Sequence, residues 1–504
     1  MTKHLDIDTK AMRAKILDLA IRGKLTDQRQ EDGNARDLLK EIQAEKERLI
    51  KEKKIKKEKP LPEIDADEIP FAIPKNWVWV RLGDICQINP RNHVQDENVN
   101  VSFLPMALIG EGYGSNYCPE IRKWKDVKKG FTHFANNDVV LAKISPCFQN
   151  LKSAIMNNLT NGIGAGTTEL HVLRRYSHTL DSKYLLCFVQ NQNLIKDGIK
   201  TFKGVVGQQR IGKDFIKEYL CPLPPLAEQH RIADKVSTFF AQLDAIDKAY
   251  EEYRELQQAM KAKLLDLAIQ GKLTDQRKED GDARELFQDI QEEKQRLIAE
   301  KEIKKEKPLP EITEEEKPFD IPENWEWVRL GDIASKTIKR GKSPQYSITG
   351  DVLVFAQKCN TKPGRINLEL AKKLDLSTLK KYPEEEFMLS GDIVINSTGN
   401  GTMGRVGFFR DKDNPYNLKI VPDSHVTTIR VPHDLIDSRY IFYFLKKLQP
   451  QLESSGDGST NQKELKAAII ASICIPLPPL AEQQRIADKV SALLVQLDEM
   501  LPLL

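Results

Sequence analysis

The chain has 504 residues, 40% hydrophobic and 7% aromatic, enough apolar side chain for about three ordinary domains and too much for wholesale disorder. No stretch nears the ~18 consecutive apolar residues of a spanning helix, and the opening MTKHLDIDTK has no apolar signal core, so the expectation is a cytoplasmic protein without a membrane partner. Its 77 Lys and Arg nearly balance 74 Asp and Glu, yet residues 77–220 carry about +6 and 325–474 about +5, leaving about −8 elsewhere.

In chain order, Met12, Ile16 and Leu19 mark a first helix by their spacing. Asn34 opens a second as its N-cap, and the charged, helix-favouring run continues to Lys59, where Pro60 stops it. The lysines of 51–59 read as a solvated helix end, a phosphate or partner contact being the alternative. Trp77 and Trp79, two residues apart, predict a strand with both rings on one face, placed there for a core or for stacking on bases. The segment beyond offers polar, glycine-bounded loops between strands. Those loops carry Arg91 and Asn92, Lys143 and Ser145, Gln149, then Lys203, Gln208, Gln209 and Arg210.

Pro224 and Pro225 precede Leu226, with Glu228 in the first turn, a sound helix start. Ile232, Val236, Phe239, Leu243, Ile246, Tyr250, Tyr253, Met260, Leu264 and Leu267 come next at 4-3 spacing, broken only at Gln257 and closed by Gly271 as a C-cap. That seam covers about six heptads, a coiled-coil signal on a helix of roughly 65 Å. Asp282 caps a further charged helix that Pro308 ends after Lys307, and Trp325 and Trp327 open another strand. Residues 392–396 read as a strand among loops holding Lys339, Arg340, Lys342, Ser343, Tyr346 and Lys358. Asn396, Ser397, Asn400 and Arg405 lie beyond them, and Ser459, Thr460, Asn461 and Gln462 come last. Arg and Lys read guanine, and Asn and Gln read adenine, through paired contacts to base edges. The basic blocks also suit a polyanion, since each neutralised phosphate releases a counterion, so these side chains are the candidate DNA contacts.

This order holds a repeat. Residues 11–85 recur at 259–333 without a gap and with roughly three-quarters of positions identical. The stretch 222–243, opening PLPPLAEQ, recurs at 476–497. Two divergent blocks, 86–220 and 334–474, lie between, so near-identical frames carry different inserts. The second copy of the long helix is split between the ends of the chain. Ile486, Val490, Leu493, Leu497, Met500 and Leu504 continue the seam of its first half, and Met12, Ile16 and Leu19 match its second. The pattern predicts an α/β (α+β) protein with two globular α/β domains separated by two long antiparallel coiled-coil helices, pseudo-two-fold with a circularly permuted repeat. A tandem duplication strung out as beads is the alternative.

Residues 399–404 satisfy G-x-G-x-x-G, but the stretch Arg405–Arg410 alternates as a strand does. A dinucleotide site must open a helix, so a hairpin loop is expected. Asn414-Pro415-Tyr416 falls short of the loop that grips an amine in amino-methyltransferases, lacking one proline and a preceding S-adenosylmethionine-binding glycine motif. Walker lysine, HExxH and G-x-S-x-G motifs are missing, the eight histidines are dispersed, and the seven cysteines form no CxxC pair. No catalytic, cofactor-binding or metal residue is assigned.

Ile73-Pro-Lys-Asn-Trp77 with Leu82-Gly-Asp-Ile85 recurs as Ile321-Pro-Glu-Asn-Trp325 with Leu330-Gly-Asp-Ile333, each paired with an LPPLAEQ stretch ending in Gln229 or Gln483. In these frames the chain resembles the specificity subunits of type I restriction-modification systems. Arg340-Gly-Lys342-Ser-Pro344 and Gly391-Asp-Ile-Val-Ile395 are similar to that family's target-recognition domains; in the first insert, Ser145-Pro-Cys-Phe departs from the glycine-rich loop. The resemblance implies a helical region over 1–72, target-recognition domains over 73–221 and 321–475, a central region with the long helix over 222–320, and a closing helix over 476–504. It implies a non-catalytic subunit reading a bipartite, asymmetric target in double-stranded DNA, one half-site per domain. Its partners would be two modification subunits, which methylate adenine with S-adenosylmethionine, and two restriction subunits, which use ATP and Mg; no cofactor is expected on this chain. A self-contained adenine methyltransferase or restriction-methyltransferase, and a coiled-coil scaffold that binds no DNA, are the other readings.

Overall fold

In the computed structural model, which describes residues 7–500 apart from Ser177, Val206, Pro363 and 456–463, Asn34 caps the helix Ala35–Lys51 by accepting from the Arg36 amide. Asp282 caps Ala283–Ala299 in the same way through Arg284. Both helices end sooner than the sequence predicts, at Lys51 rather than Lys59 and at Ala299 rather than Lys307. Lys53 and Lys301 turn into the left-handed region, with φ of 55° and 63°. The amides of Lys54 and Glu302 then bond back to the carbonyls of Leu49 and Leu297, each at 3.0 Å. These bonds satisfy carbonyls the helix leaves open and offset the roughly 1–2 kcal/mol that the left-handed conformation costs a residue with a Cβ. Lys53 through Lys59 form an exposed, non-helical tail in which only Ile55 is half-buried.

The described residues fall into two compact units, 7–251 and 252–500. The helix Leu226–Ile269 gives its first part to one and its last part to the other, and its 44 residues span about 66 Å. In the first unit, Thr9–Ile21 runs antiparallel to that first part: Thr9 bonds Asp247 at 2.7 Å, Arg13 reaches Asp247 at 3.0 Å and also Asp244, and Thr26 bonds Glu228 at 3.1 Å. In the second, the last part runs antiparallel to Leu480–Met500: Gln257 donates to the Leu497 carbonyl, Lys261 pairs with Asp498, and Thr274 bonds Glu482 at 3.1 Å. Leu480–Met500 matches the opening of the long helix in sequence, and Thr9–Ile21 matches its end. The two pairs are therefore one motif with its chain order permuted. Gln257, the break in the seam, is a polar tie; Ile232, Val236, Leu243 and Leu264 are buried, while Met260 is 44% exposed.

Each insert leaves and rejoins its frame through a two-stranded ribbon, Val78–Arg81 against Leu220–Leu223 and Glu326–Arg329 against Cys474–Leu477. The first strand starts one residue after Trp77, so the two tryptophans do not share a strand face. Trp77 is buried with its amide on the Pro74 carbonyl, while Trp79 packs edge-on against Phe71 with ring centres 5.0 Å apart. Trp325 and Trp327 repeat this arrangement, the latter against Phe319. Trp77 and Trp325 are core residues, closed to base stacking.

Unlike sequences fold the two inserts alike. The first has an antiparallel sheet in the order Cys86–Ile88, Leu170–Arg175, Val139–Ala142, Ser153–Ile155. The second has Lys339–Arg340, Val426–Ile429, Ile393–Asn396, Val406–Phe408. A further sheet in each contains one parallel pair, Asn100–Leu104 with Ile163–Gly166 and Val352–Phe355 with Lys419–Pro422. The strands are three to six residues long in the first insert's antiparallel sheet, too short to impose a period on the sequence.

The LPPLAEQ stretch fastens insert to frame. Glu228 accepts from Trp77 Nε1 at 2.7 Å and from Gln28 and Thr26; Glu482 accepts from Trp325 Nε1 at 2.8 Å and from Gln276 and Thr274. Burial pushes both carboxyls above their ordinary range, and the donors hold them partly back. Gln229 accepts from the Asp181 amide at 2.8 Å and Gln483 from the Asp437 amide at 3.0 Å. Tyr184 and Tyr440 donate to the carbonyls of Pro222 and Pro476, and Arg231 and Arg485 pair with Asp32 and Asp280. One short stretch holds the loop after a frame helix, the start of the insert and a helix near the insert's end.

Candidate nucleic-acid interface

The strand Ile393–Asn396 ends in a loop whose Gly399, Gly401 and Gly404 all have positive φ, and the chain returns antiparallel as Val406–Phe408. The G-x-G-x-x-G stretch is thus the hairpin loop its pattern predicts. At Gly404 a Cβ would fall 2.4 Å from the Glu453 amide, so only glycine lets the loop rest on the helix Ser438–Ser454.

Other loops converge there. The Gly341 amide bonds the Val426 carbonyl at 3.0 Å, and the Leu465 amide bonds the Ser397 carbonyl at 2.8 Å. Arg340 pairs with Glu464 at 3.1 Å, and Thr398 Oγ1 lies 2.7 Å from His425 Nδ1. Tyr382 donates to the Lys342 carbonyl at 3.0 Å, and Lys372 sits 4.9 Å from the centre of the Tyr346 ring. Ser343, Tyr346, Lys358 and Asn400 are exposed, Lys342 is half-buried, and Lys339 is tied to Glu386 at 2.6 Å. Asp423 lies buried beneath this surface, its carboxyl pushed up by burial and partly restored by His425.

Several candidates have spent their polar groups inside the protein. Asn396, fully buried, donates to the Gln357 carbonyl at 3.1 Å and accepts from Asn360. The buried Ser397 hydroxyl is hydrogen-bonded to the Thr427 hydroxyl at 2.6 Å. Arg405 donates to the carbonyls of Asn360 and Gly401 at 2.8 and 3.1 Å. Asn396 and Ser397 shape the loop and present no free edge to a base, and the half-buried Arg405 is partly committed to holding the loop. Ser459, Thr460, Asn461 and Gln462 lie outside the described residues.

In the first insert, Lys143 and Ser145 come after the strand Val139–Ala142 and meet the segment 203–210. The Ser145 amide bonds the Gln209 carbonyl at 2.8 Å, the Ile211 amide bonds the Lys143 carbonyl at 3.0 Å, and Arg210 pairs with Glu169 at 2.8 Å. Lys203, Gln208 and Gln149 are exposed; Ser145 is buried. Arg91 and Asn92 are not brought to this cluster. Arg91 is exposed but bonds the Phe131 carbonyl at 3.1 Å, while Asn92 donates to the Phe134 carbonyl at 2.8 Å and accepts from Arg174. That guanidinium grips Asp138, at the opposite end of the strand from Lys143. Ser145 and Asn92 therefore join the residues that shape loops. Burial holds His171 at about 4 between Asn89 and the Ile211 carbonyl, and His133 at about 4 beside Arg91, so both rings are neutral near pH 7.

Sequence reasoning missed His425, Lys372, Tyr382 and the acids Glu169 and Glu464. The pairs Lys372-Lys373 and Lys380-Lys381 were a visible charge signal; His425 needed the strand order. Among the described residues, no group of three or more His, Cys, Asp or Glu could hold a metal ion, and no helix is long and apolar enough to cross a membrane. Exposed cations and amides on short loops, seated on a rigid sheet, are the chemistry of phosphate and base contact.

Residues 74–253 and 322–500 match the family described as the type I restriction modification DNA specificity domain. The chain is 35% identical to the type I restriction enzyme EcoAI specificity subunit of Escherichia coli, over 96% of this chain and 89% of that one. It is 33% identical to the EcoEI specificity subunit of the same organism, over 95% and 88%. Its fold is similar to a chain from a solved structure of type I restriction-modification complex assembly, with a TM-score of 0.56, 20% identity, and coverage of 86% of this chain and 93% of that one. The HsdS subunit of Thermoanaerobacter tengcongensis aligns with a TM-score of 0.50 and 19% identity over the same shares.

Proposed function

The chain belongs to the type I restriction-modification DNA specificity family, and from that premise we propose that it selects the target of a restriction-modification complex while its partners supply the chemistry. Its two inserts each read one half of a bipartite, asymmetric site in double-stranded DNA. Two modification subunits, methylating adenine at N6 with S-adenosylmethionine, and two restriction subunits, using ATP and Mg, assemble on it in the cytoplasm. The observation that carries this reading is the duplicated clamp: one frame chemistry, built twice, holds two inserts of like topology and unlike loops. Twin frames offer equivalent docking surfaces to a pair of identical partners, and unlike loops suit unlike half-sites. The contacts proposed are Lys342, Ser343, Tyr346, Lys358 and Asn400 in the second insert, with Lys339 and Arg340 beside them, and Lys143, Gln149, Lys203, Gln208, Gln209 and Arg210 in the first. Arg91 is a separate backbone contact. Phosphate-directed lysines give affinity and salt dependence, while amides and arginines at base edges give sequence. The test replaces 86–220 with the insert of another family member, keeps the clamp residues, and maps methylation with the partner subunits present. One half of the methylated sequence should change; a change in both halves together would refute separate readers.

A further inference from the structure

The first insert carries an apolar tip on a polar ribbon. Lys203 and Arg210 exchange both backbone bonds, at 3.1 and 2.9 Å, and the Gln208 amide bonds the Val205 carbonyl at 3.0 Å. Gly204 and Gly207, at φ of 117° and 83°, let the ribbon turn tightly. Its root is strapped to the end of the strand Val139–Ala142 by the Ser145–Gln209 bond and by the Arg210–Glu169 pair. The ribbon is thus preorganised, and at its tip Val205 is 71% exposed beside the exposed Gln208. Val205, left in water between two glycines, does nothing for the core; Val206 beside it lies outside the described residues. A lone exposed apolar residue needs no explanation by itself; here it sits within the cluster that holds the first insert's candidate base contacts. The major groove admits a two-stranded ribbon, glutamine reads adenine there, and an apolar side chain reads the thymine methyl, so the two together form the chemistry of an A·T pair. The bridge Ile144–Arg210 has its counterpart in Thr398–Glu464.

We infer that Val205 reads the 5-methyl group of a thymine in the major groove of the first half-site, an assignment that rests on the DNA-reading function above. The test uses the full chain with its modification subunits on duplexes of the mapped target. Each thymine of the half-site assigned to the first insert is replaced in turn by deoxyuridine, which removes the methyl and nothing else. At one or two positions the loss should be about fourfold in affinity, the worth of one buried methyl group. Val205→Ser, at an exposed site, should keep its melting temperature and bind thymine and deoxyuridine duplexes equally, while Val205→Thr should keep part of the preference. Indifference of the wild type to deoxyuridine, an unchanged preference in Val205→Ser, or a half-site without thymine on either strand would overturn the assignment. Failure of the wild type to prefer the unmodified target over unrelated duplex would instead overturn the DNA-reading function itself.

Discussion

Replacing Glu228 by Ala should cost the first unit about 3 kcal/mol and leave the second intact. The carboxylate is fully buried and accepts from Trp77, Gln28 and Thr26. Of these donors only the Trp77 indole is sealed, at 1% exposure; Gln28 is exposed and Thr26 half-buried, so water can serve them. A sealed donor without an acceptor costs about 1–3 kcal/mol, and losing two charge-assisted bonds at the solvent edge adds about as much again. Against this, removing the carboxylate relieves the desolvation that raises its pKa, so the net stays near 3 kcal/mol rather than at the sum. Glu228→Gln keeps one acceptor and should lose about half. The pH dependence separates the two variants further. Because the folded carboxyl titrates above its ordinary 4.5, the protonated form favours the fold, and stability contributed by this group is full below 4.5 and lost as pH rises through the raised value. Glu228→Gln should abolish that slope. Urea unfolding gives the magnitude, and hydrogen exchange gives the place: protection should fall at Val78–Arg81 and hold at Glu326–Arg329. A cost below about 1 kcal/mol, or equal losses at both strands, would refute the clamp as the fastening of one unit.

Fragments 1–251 and 252–504, cut at the boundary between units, should each fold with native helix content by circular dichroism, because each retains its antiparallel helix pair; an unfolded fragment would contradict this. His171, held at about 4 by burial, is neutral in the fold but protonated below about 6.5 when unfolded. Its contribution should be full above pH 6.5 and fall by up to about 3 kcal/mol as pH drops to 4, a loss that His171→Gln should blunt in unfolding at pH 7 and 4.5. Lys358→Ala, at an exposed site, should weaken duplex binding at unchanged melting temperature and flatten the log–log salt slope by about 0.9, whereas Asn396→Ala should lower the melting temperature because its partners lie inside the fold.

The sequence made the frames legible because their signals are local. Asn34 and Asp282 are caps whose oxygens reach amides two residues on, and Pro225 with Glu228 marks a helix start that any register would keep. The split seam was readable because heptads survive cutting. The helix ends were not: nothing in composition distinguishes Lys53 from its neighbours, and its left-handed turn depends on Leu49 accepting a second amide. The strand expected to carry both tryptophans failed for a similar reason, since the Pro74 carbonyl holds Trp77 in a turn. Among the candidate contacts, residue type alone could not separate Asn400 from Asn396, a short way back along the same hairpin, because the difference is which one faces Gln357. The place of Glu228 in the first turn is legible, yet its indole partner lies 151 residues away.

The clamp also sets what an insert must supply to be accepted. The frame brings its own tryptophan, Trp77 or Trp325, and the insert supplies an Asp-Ser-x-Tyr tetrad, Asp181–Tyr184 or Asp437–Tyr440, whose amide and hydroxyl meet the frame stretch. Loops between them can vary, while side chains such as Val139, Leu141 and Leu173, which share a core with Leu17, Trp77 and Ile232, must stay apolar. A socket that grips a tetrad and a shared core rather than the loops would accept another insert of the same topology as a unit.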